Sequence, residues 1–580
     1  MRPDGVLRAS RRFKLALKSG AVCAAFFVAM GPVVTVAAGG SASADSVAPL
    51  MLRLTSDQYR AVIADTFGET ITLGGRFEPD PRVDGLLGIG ASKVSVSTDG
   101  LEQYDLMART IADQVVAPER RAINIPCKPA SEAAADDACA RQFLQTAGQF
   151  LYRRPLTEQE LRARVSTAGE VANKLGSFYE GLSWSLAQML VSPQFLFRTV
   201  EYEPDPRKRG QYRMTGYSKA SQLSFFLWNA GPDEQLLAAA QNGDLHTPRG
   251  LAREVDRMMT SPRLEHGVRA FFSDMLMFDE LPALSKDPII YPKFSAKVAV
   301  DSMEQALRTI VDLTVTNDGD YRDIFTTKKT FLTQNLASVY RIPLVNDVPN
   351  GSPDTWQAYE FAADDPRGGL LSQISFLALH SHAGRSSPTL RGKALREVFL
   401  CQPVPAPPAA VDFKIVQDTS NPVYKTARDR LNAHAQNPVC AGCHKLTDPM
   451  GLALEHFDGG GAYRTTENGV VIDTSGELDR AKFENAQGLG QSLHDHPAAT
   501  ACVVNRMLSY GLGRVPSRNE SEWIEALKKD FAAQGYRIPA LIRRIATSPE
   551  FYRYAPAVTE TPVRSTKVVL PNSLTEEVER

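Results

Sequence analysis

The sequence predicts a mainly α fold: a multi-domain helical body followed by a smaller domain that contains a β-hairpin. Three observations carry this. Apolar residues recur at helical spacing over most of the chain, as in Tyr59, Val62, Ile63 and Phe67, and again in Phe271, Phe272, Met275 and Leu276. Ser or Thr stands where such runs begin, and Pro follows Ser at Ser192-Pro193, Ser261-Pro262, Ser387-Pro388 and Ser548-Pro549, a helix-start device. The strongest β signal is Asn468-Gly469, flanked by the β-prone runs 462–466 and 470–474. At 580 residues the chain exceeds one typical core, so several packed units are expected.

Residues 1–44 read as a secretory signal peptide. A basic stretch from Arg8 to Lys18 precedes an apolar run from Ala21 to Ala38, and Ala42-Ser43-Ala44 places cleavage after Ala44. Ser10-Arg11-Arg12-Phe13 is a loose twin-Arg pattern. The rival is a retained anchor helix, but the run is short for a span and Gly31-Pro32 interrupts it. No later stretch is long and apolar enough to cross a membrane.

An N-terminal helical domain over 50–120 opens with a Thr55-Ser56 cap and includes an amphipathic helix over 100–117. A polar patch around 130–138 reads as a linker. The helical domain over 138–200 holds a helix from Phe143 to Leu151, a capping box at Thr157 and Glu160, and an apolar helix over 178–191. A large helical domain over 212–345 follows, its Met residues reading as core filler. Pro403 to Pro408 reads as an extended strut. The domain over 366–480 contains the hairpin. A C-terminal helical domain over 481–555, with helices over 496–511 and 520–547, precedes a loose tail over 556–580.

Composition is ordinary for a globular protein, with 43% hydrophobic and 23% charged residues. Net charge is −1, but the leader holds six Arg/Lys and one Asp, so the rest of the chain stands at −6. A mildly acidic protein offers no basic face, and no nucleic-acid partner is expected.

Cysteine use carries the chemistry. Cys23 lies in the leader, and six cysteines remain, an even count that fits full pairing or ligation in an exported chain. Two of them form Cys440-Ala441-Gly442-Cys443-His444, a CxxCH motif that arises by chance about once in a thousand chains of this composition. The spacing lets two thiols reach the two vinyl groups on one porphyrin edge and sets His444 under the iron as proximal ligand. A thioredoxin-like CxxC would need a βαβ context, and a zinc half-site a second Cys/His pair; neither is present. A plain disulfide is the remaining rival. One covalent haem c is the expectation, and its attachment outside the cytoplasm agrees with the leader. Cys127 and Cys139 enclose a short Ala/Asp-rich loop and read as a disulfide staple. Cys401 and Cys502 are either a second disulfide, tying the flanks of the haem segment together, or two buried thiols.

Several side chains compete for the sixth position on the iron. Met450 follows His444 by only six residues, too close to reach the opposite face. Met507 lies 63 residues after His444, on a helix. His380 precedes Ser386-Ser387-Pro388, and His494 and His496 lie near Pro497. An open site is the last option. A filled pair suits electron transfer, whereas an open site permits chemistry.

The segments Arg367-Gly368-Gly369-Leu370-Leu371, Ser386-Ser387-Pro388 with Arg391-Gly392, Leu400-Cys401-Gln402-Pro403, and CAGCHKLTDPMGLALEHFD at 440–458 resemble the large exported planctomycete-type cytochrome c proteins. These are assembled from several domains of unknown function and also occur in myxobacteria and other proteobacteria. Tyr152-Arg153-Arg154-Pro155-Leu156-Thr157 and Tyr510-Gly511-Leu512-Gly513-Arg514 are further marks, and the resemblance covers nearly the whole mature chain. It implies a cytochrome c-like haem domain over 366–480 with Cys440, Cys443 and His444 as haem residues, and no agreed reaction. A His at the position of His380 is common in relatives, which makes His380 the first distal candidate and Met507 the second. Relatives often carry another apolar residue in place of Met450.

The expectation is an exported c-type cytochrome, periplasmic or at the cell surface, in electron transfer or redox chemistry with a partner protein or small-molecule substrate. One alternative is a haem-dependent oxidative enzyme whose helical body binds substrate. A second is a surface protein with structural haem. No nucleophile triad, phosphate loop or paired-carboxylate signature supports a non-haem enzyme. Asp448, Glu455 and Asp458 lie near the motif, and capping or hydrogen bonding explains them as well as acid–base work does.

Overall fold

A computed structural model describes residues 50–344, 352–406 and 413–553. The leader with its cleavage position, the end of the proline strut and the tail from 556 lie outside them. With 57% helix and 7% strand, the protein is mainly α as the periodicity predicts. Among the described residues no helix is long and apolar enough to cross a membrane.

Five helices longer than ten residues build the N-terminal part: α1 (Ser56–Phe67), α2 (Thr98–Val116), α3 (Asp137–Leu151), α4 (Glu158–Leu175) and α5 (Phe178–Leu190). Thr55 and Thr157 cap α1 and α4, each closing a capping box with the residue three positions on, Gln58 and Glu160. The polar patch is not merely a linker. Asp136 caps α3, its carboxylate accepting from the Cys139 amide at 3.0 Å. Strand β1 (Leu50–Arg53) pairs antiparallel with β2 (Phe197–Val200), Leu50 opposite Val200, which joins the start of this part to its end. Tyr59, Phe143, Leu144, Phe178 and Phe195 fill its core.

A second, larger core runs through the rest. Its helices include α6 (Gly216–Trp228), α7 (Arg263–Met275), α8 (Ala296–Val311), α9 (Ile374–Leu379), α10 (Pro388–Ala394), α11 (Ala427–His434), α12 (Pro438–Leu452), α13 (Pro497–Leu512), α14 (Ser521–Ala533) and α15 (Ile538–Ala546). Leu223, Phe272, Ile310, Leu377, Leu454, Phe457, Leu508 and Ile545 belong to one apolar cluster. The segment after the CxxCH motif therefore shares its core with the helical body and with the C-terminal helices.

The single helix predicted over 520–547 is instead two, α14 and α15. Gly535 and Tyr536 both take positive φ, 68° and 56°, and Pro539 stands in the first turn of α15. A left-handed Gly stops one helix and an early Pro starts the next; the continuous apolar spacing on either side hid the break. The Asn-Gly hairpin forms with shorter strands than predicted, β3 (Thr466–Glu467) and β4 (Val470–Val471). Asn468 and Gly469 have φ 48° and 76°, as a primed two-residue turn requires. A second hairpin, β5 (Gly476–Leu478) with β6 (Ala481–Phe483), turns through Asp479 and Arg480 and carries no glycine in its turn to announce it.

Two disulfides lock the chain. Cys127 bonds Cys139, and Cys401 bonds Cys502 on α13. The second settles the open alternative for that pair in favour of a bridge.

Candidate functional site

The CxxCH motif occupies the first two turns of α12. The Asn437 carbonyl accepts from the amides of Cys440 and Ala441 at 3.0 and 3.1 Å, which starts the helix. Helix α12 is pressed onto α10. A Cβ at Gly392 would stand 1.9 Å from the Thr447 carbonyl oxygen, and one at Gly451 would stand 1.8 Å from that of Pro388. Only glycine permits so close an approach at either position.

Below the motif the contact is polar and buried. Arg391 on α10 is fully buried and donates to the carbonyls of Leu454, Phe457 and Asp458 at 2.9, 2.8 and 2.7 Å. It also meets Glu455, itself 1% exposed, at 3.2 Å. Glu455 further accepts from Arg464 at 2.8 Å and from Ser386 at 2.7 Å. Burial lowers the guanidinium pKa of Arg391, against the raising effect of Glu455. Glu455 is thus the anion of a closed ionic cluster, and Asp458 supplies a carbonyl and turn contacts.

Of the six described cysteines, four are paired and two are free, Cys440 and Cys443. Cys440 is buried and Cys443 partly exposed. Between them, a Cβ at Gly442 would meet nothing within 4 Å, so the side of the helix away from the two thiols is open. His444 lies at the end of the second turn, and its Nδ1 is 2.7 Å from Asp448 Oδ2. The other Asp448 oxygen accepts from Thr389 at 2.9 Å and from Thr447 at 3.1 Å. A carboxylate can only accept, so Nδ1 carries the proton and Nε2 is left with its lone pair. This is the arrangement that orients a metal-binding imidazole. Two free thiols at this spacing, on one side of the helix with an oriented imidazole, fit a covalently held haem.

The ring set against His444 is that of His434, the last residue of α11. The centroids are 5.0 Å apart with the planes at 76°. Phe413 stacks on His434 at 6.0 Å and 24°. Sequence alone gives little reason to single out His434, since a His in the last turn of a polar helix is ordinary dipole chemistry. Asp448 had a usable signal: it follows His444 by four residues, one helical turn on the same face.

The other candidates lie elsewhere in the fold. His380 ends α9 with its ring edge-on to Phe376 at 4.9 Å, in a pocket it shares with Leu276, Phe278 and Phe399. That pocket has about 10 Å³ of free space, short of one water. Burial, with the charges of Arg391 and Lys286, pushes the His380 imidazole down to about 3. Met507 and Met450 are core side chains on α13 and α12. His494 meets Asp495 and Asp323, and His496 accepts from the Ala498 amide and meets Asp479.

Five family models match the chain, each described as a protein of unknown function: DUF1587 at residues 53–117, DUF1595 at 139–199, DUF1592 at 214–342, DUF1588 at 367–467 and DUF1585 at 479–551. No curated protein matches, and no solved structure does. The CxxCH helix and Arg391 fall in the DUF1588 match, while Cys502 falls in the DUF1585 match. These five in combination are the architecture of the planctomycete-type cytochrome c proteins, multi-domain chains of unknown-function domains, and the chain belongs to that family.

Proposed function

We propose that the protein is an exported c-type cytochrome with one haem attached through Cys440 and Cys443, acting in electron transfer or redox chemistry outside the cytoplasm. The observation that carries this reading is the pairing of the two free thiols with an imidazole whose Nδ1 is tied to Asp448, leaving Nε2 for iron. The haem would supply a one-electron couple. The chain's own residues do the rest. The thiols hold the porphyrin edge as thioethers, and Asp448 keeps His444 in one tautomer and makes it a stronger donor. The Gly392 and Gly451 contacts and the Arg391 cluster fix α12 against the body, so the imidazole keeps its place as charge changes. Two disulfides support an oxidising compartment outside the cytoplasm.

The test is Cys440→Ala with Cys443→Ala in protein expressed with the c-type maturation machinery. The parent should show a covalent haem stain on a denaturing gel, and the double variant none. A parent without stain, or a variant that keeps it, refutes the proposal.

A further inference from the structure

We infer that His434 is the second axial ligand, facing the iron from the side opposite His444. The inference rests on the haem reading above and deepens it. Helices α11 and α12 are joined by only three residues, Ala435-Gln436-Asn437, so one short helical hairpin carries both imidazoles. An imidazole nitrogen sits about 2 Å from its metal, so two imidazoles on one metal hold their ring centres about 6 Å apart. The rings of His434 and His444 stand 5.0 Å apart, so sharing one metal takes an opening of about 1 Å and a turn of the imidazoles toward it. Their planes are nearly perpendicular, which two axial imidazoles tolerate, since each bonds through its own lone pair. Phe413 stacks on the His434 ring and helps to hold it in place. His434 is 7% exposed and His444 14%, so the pair is already largely withdrawn from water.

The alternatives fit less well. His380 would have to leave a pocket with about 10 Å³ of free space and break its packing on Phe376. Met507 is 1% exposed within the main core, and its withdrawal would open a cavity there. Filling both axial positions from one hairpin has a functional consequence. Two imidazoles stabilise the ferric state relative to a His/Met pair, and they leave no open coordination site for a substrate. That favours electron transfer over the oxidative-enzyme alternative.

The experiment is the electronic spectrum of the full haem-loaded protein, with the covalent stain read in parallel. The parent should be low-spin in the ferric form and lack the charge-transfer band of thioether ligation. His434→Ala should keep its stain, turn high-spin and take up cyanide, and added imidazole should restore the low-spin spectrum. His434→Met should gain the thioether band, and His380→Ala should leave the parent spectrum unchanged. A stained His434→Ala protein with the parent spectrum overturns the inference. So does a parent that is already high-spin, or a His380→Ala protein that loses the low-spin form. An unstained parent overturns the haem reading itself, which keeps the two failures apart.

Discussion

Replacing both Cys401 and Cys502 by alanine should destabilise the protein more than replacing both Cys127 and Cys139, and the loop lengths say by how much. The two bridges close loops of 101 and 12 residues. In the chain-entropy account a bridge stabilises by restricting the unfolded chain, and the effect grows with the logarithm of the loop. It comes to about 4.7 kcal/mol for the long loop and about 2.8 kcal/mol for the short one. The difference, about 1.9 kcal/mol, is the more secure quantity, because the sulfur-to-methyl change is common to both variants. Cys502 and Cys139 are both buried, so local packing losses offset each other. Urea unfolding followed by far-UV circular dichroism, on parent and both double variants at one pH, gives the comparison. A short-loop variant that loses as much as the long-loop variant, or more, would refute the entropic reasoning and place the effect in native packing around the sulfurs.

Arg391→Met should cost about 3–5 kcal/mol in the same unfolding assay, since it strips a buried carboxylate of one ion-pair partner and takes the side-chain donor from three carbonyls, of which Leu454 and Asp458 keep a backbone one; a loss below about 1 kcal/mol would mean that Arg464 and Ser386 alone satisfy Glu455. Glu160 makes a pH-dependent contribution. Its hydrogen bonds to the Arg154 guanidinium, and then to the Thr157 amide, hold the carboxyl down at about 2 against an ordinary 4.5. The unfolded chain binds the proton first as pH falls, so the contribution is complete above 4.5 and is lost on the way down to 2. The stability gap between the parent and Glu160→Gln should shrink across that window, and a gap that stays constant from pH 5 to about 2 would rule the linkage out.

Local signals in the sequence were read well where one residue type solves one backbone problem. Thr157 with Glu160, Ser387 before Pro388, and Asn468-Gly469 each satisfy a turn or helix end by themselves, and each does so in the fold. Signals failed where the partner is remote or the pattern is continuous. Nothing in Leu50–Arg53 announces Phe197–Val200 as its strand partner, and apolar spacing on both sides of Gly535 concealed a helix break. At the site, CxxCH and the even cysteine count were legible because both are written in the primary sequence itself. Asp448 was legible in principle through its helical offset from His444. The Arg391–Glu455 cluster was not, since those residues are 64 apart and only the close approach of α10 and α12 brings them together. His434 became visible only once the turn between α11 and α12 had set its ring against that of His444.

The Cys401–Cys502 bridge also decides how the molecule bears mechanical load. A pull on the two ends of the chain runs along the backbone to Cys401, crosses the sulfurs and leaves from Cys502. Everything between, including the CxxCH helix and both hairpins, lies in a side loop that carries no tension. Unravelling the helices before Cys401 would leave that loop at its native length, with α12 still enclosed. The single bond hides roughly 330–360 Å of contour, the span of 101 extended residues, which reduction alone would release. Under such a pull, the segment bearing the two free thiols is the part that force reaches last.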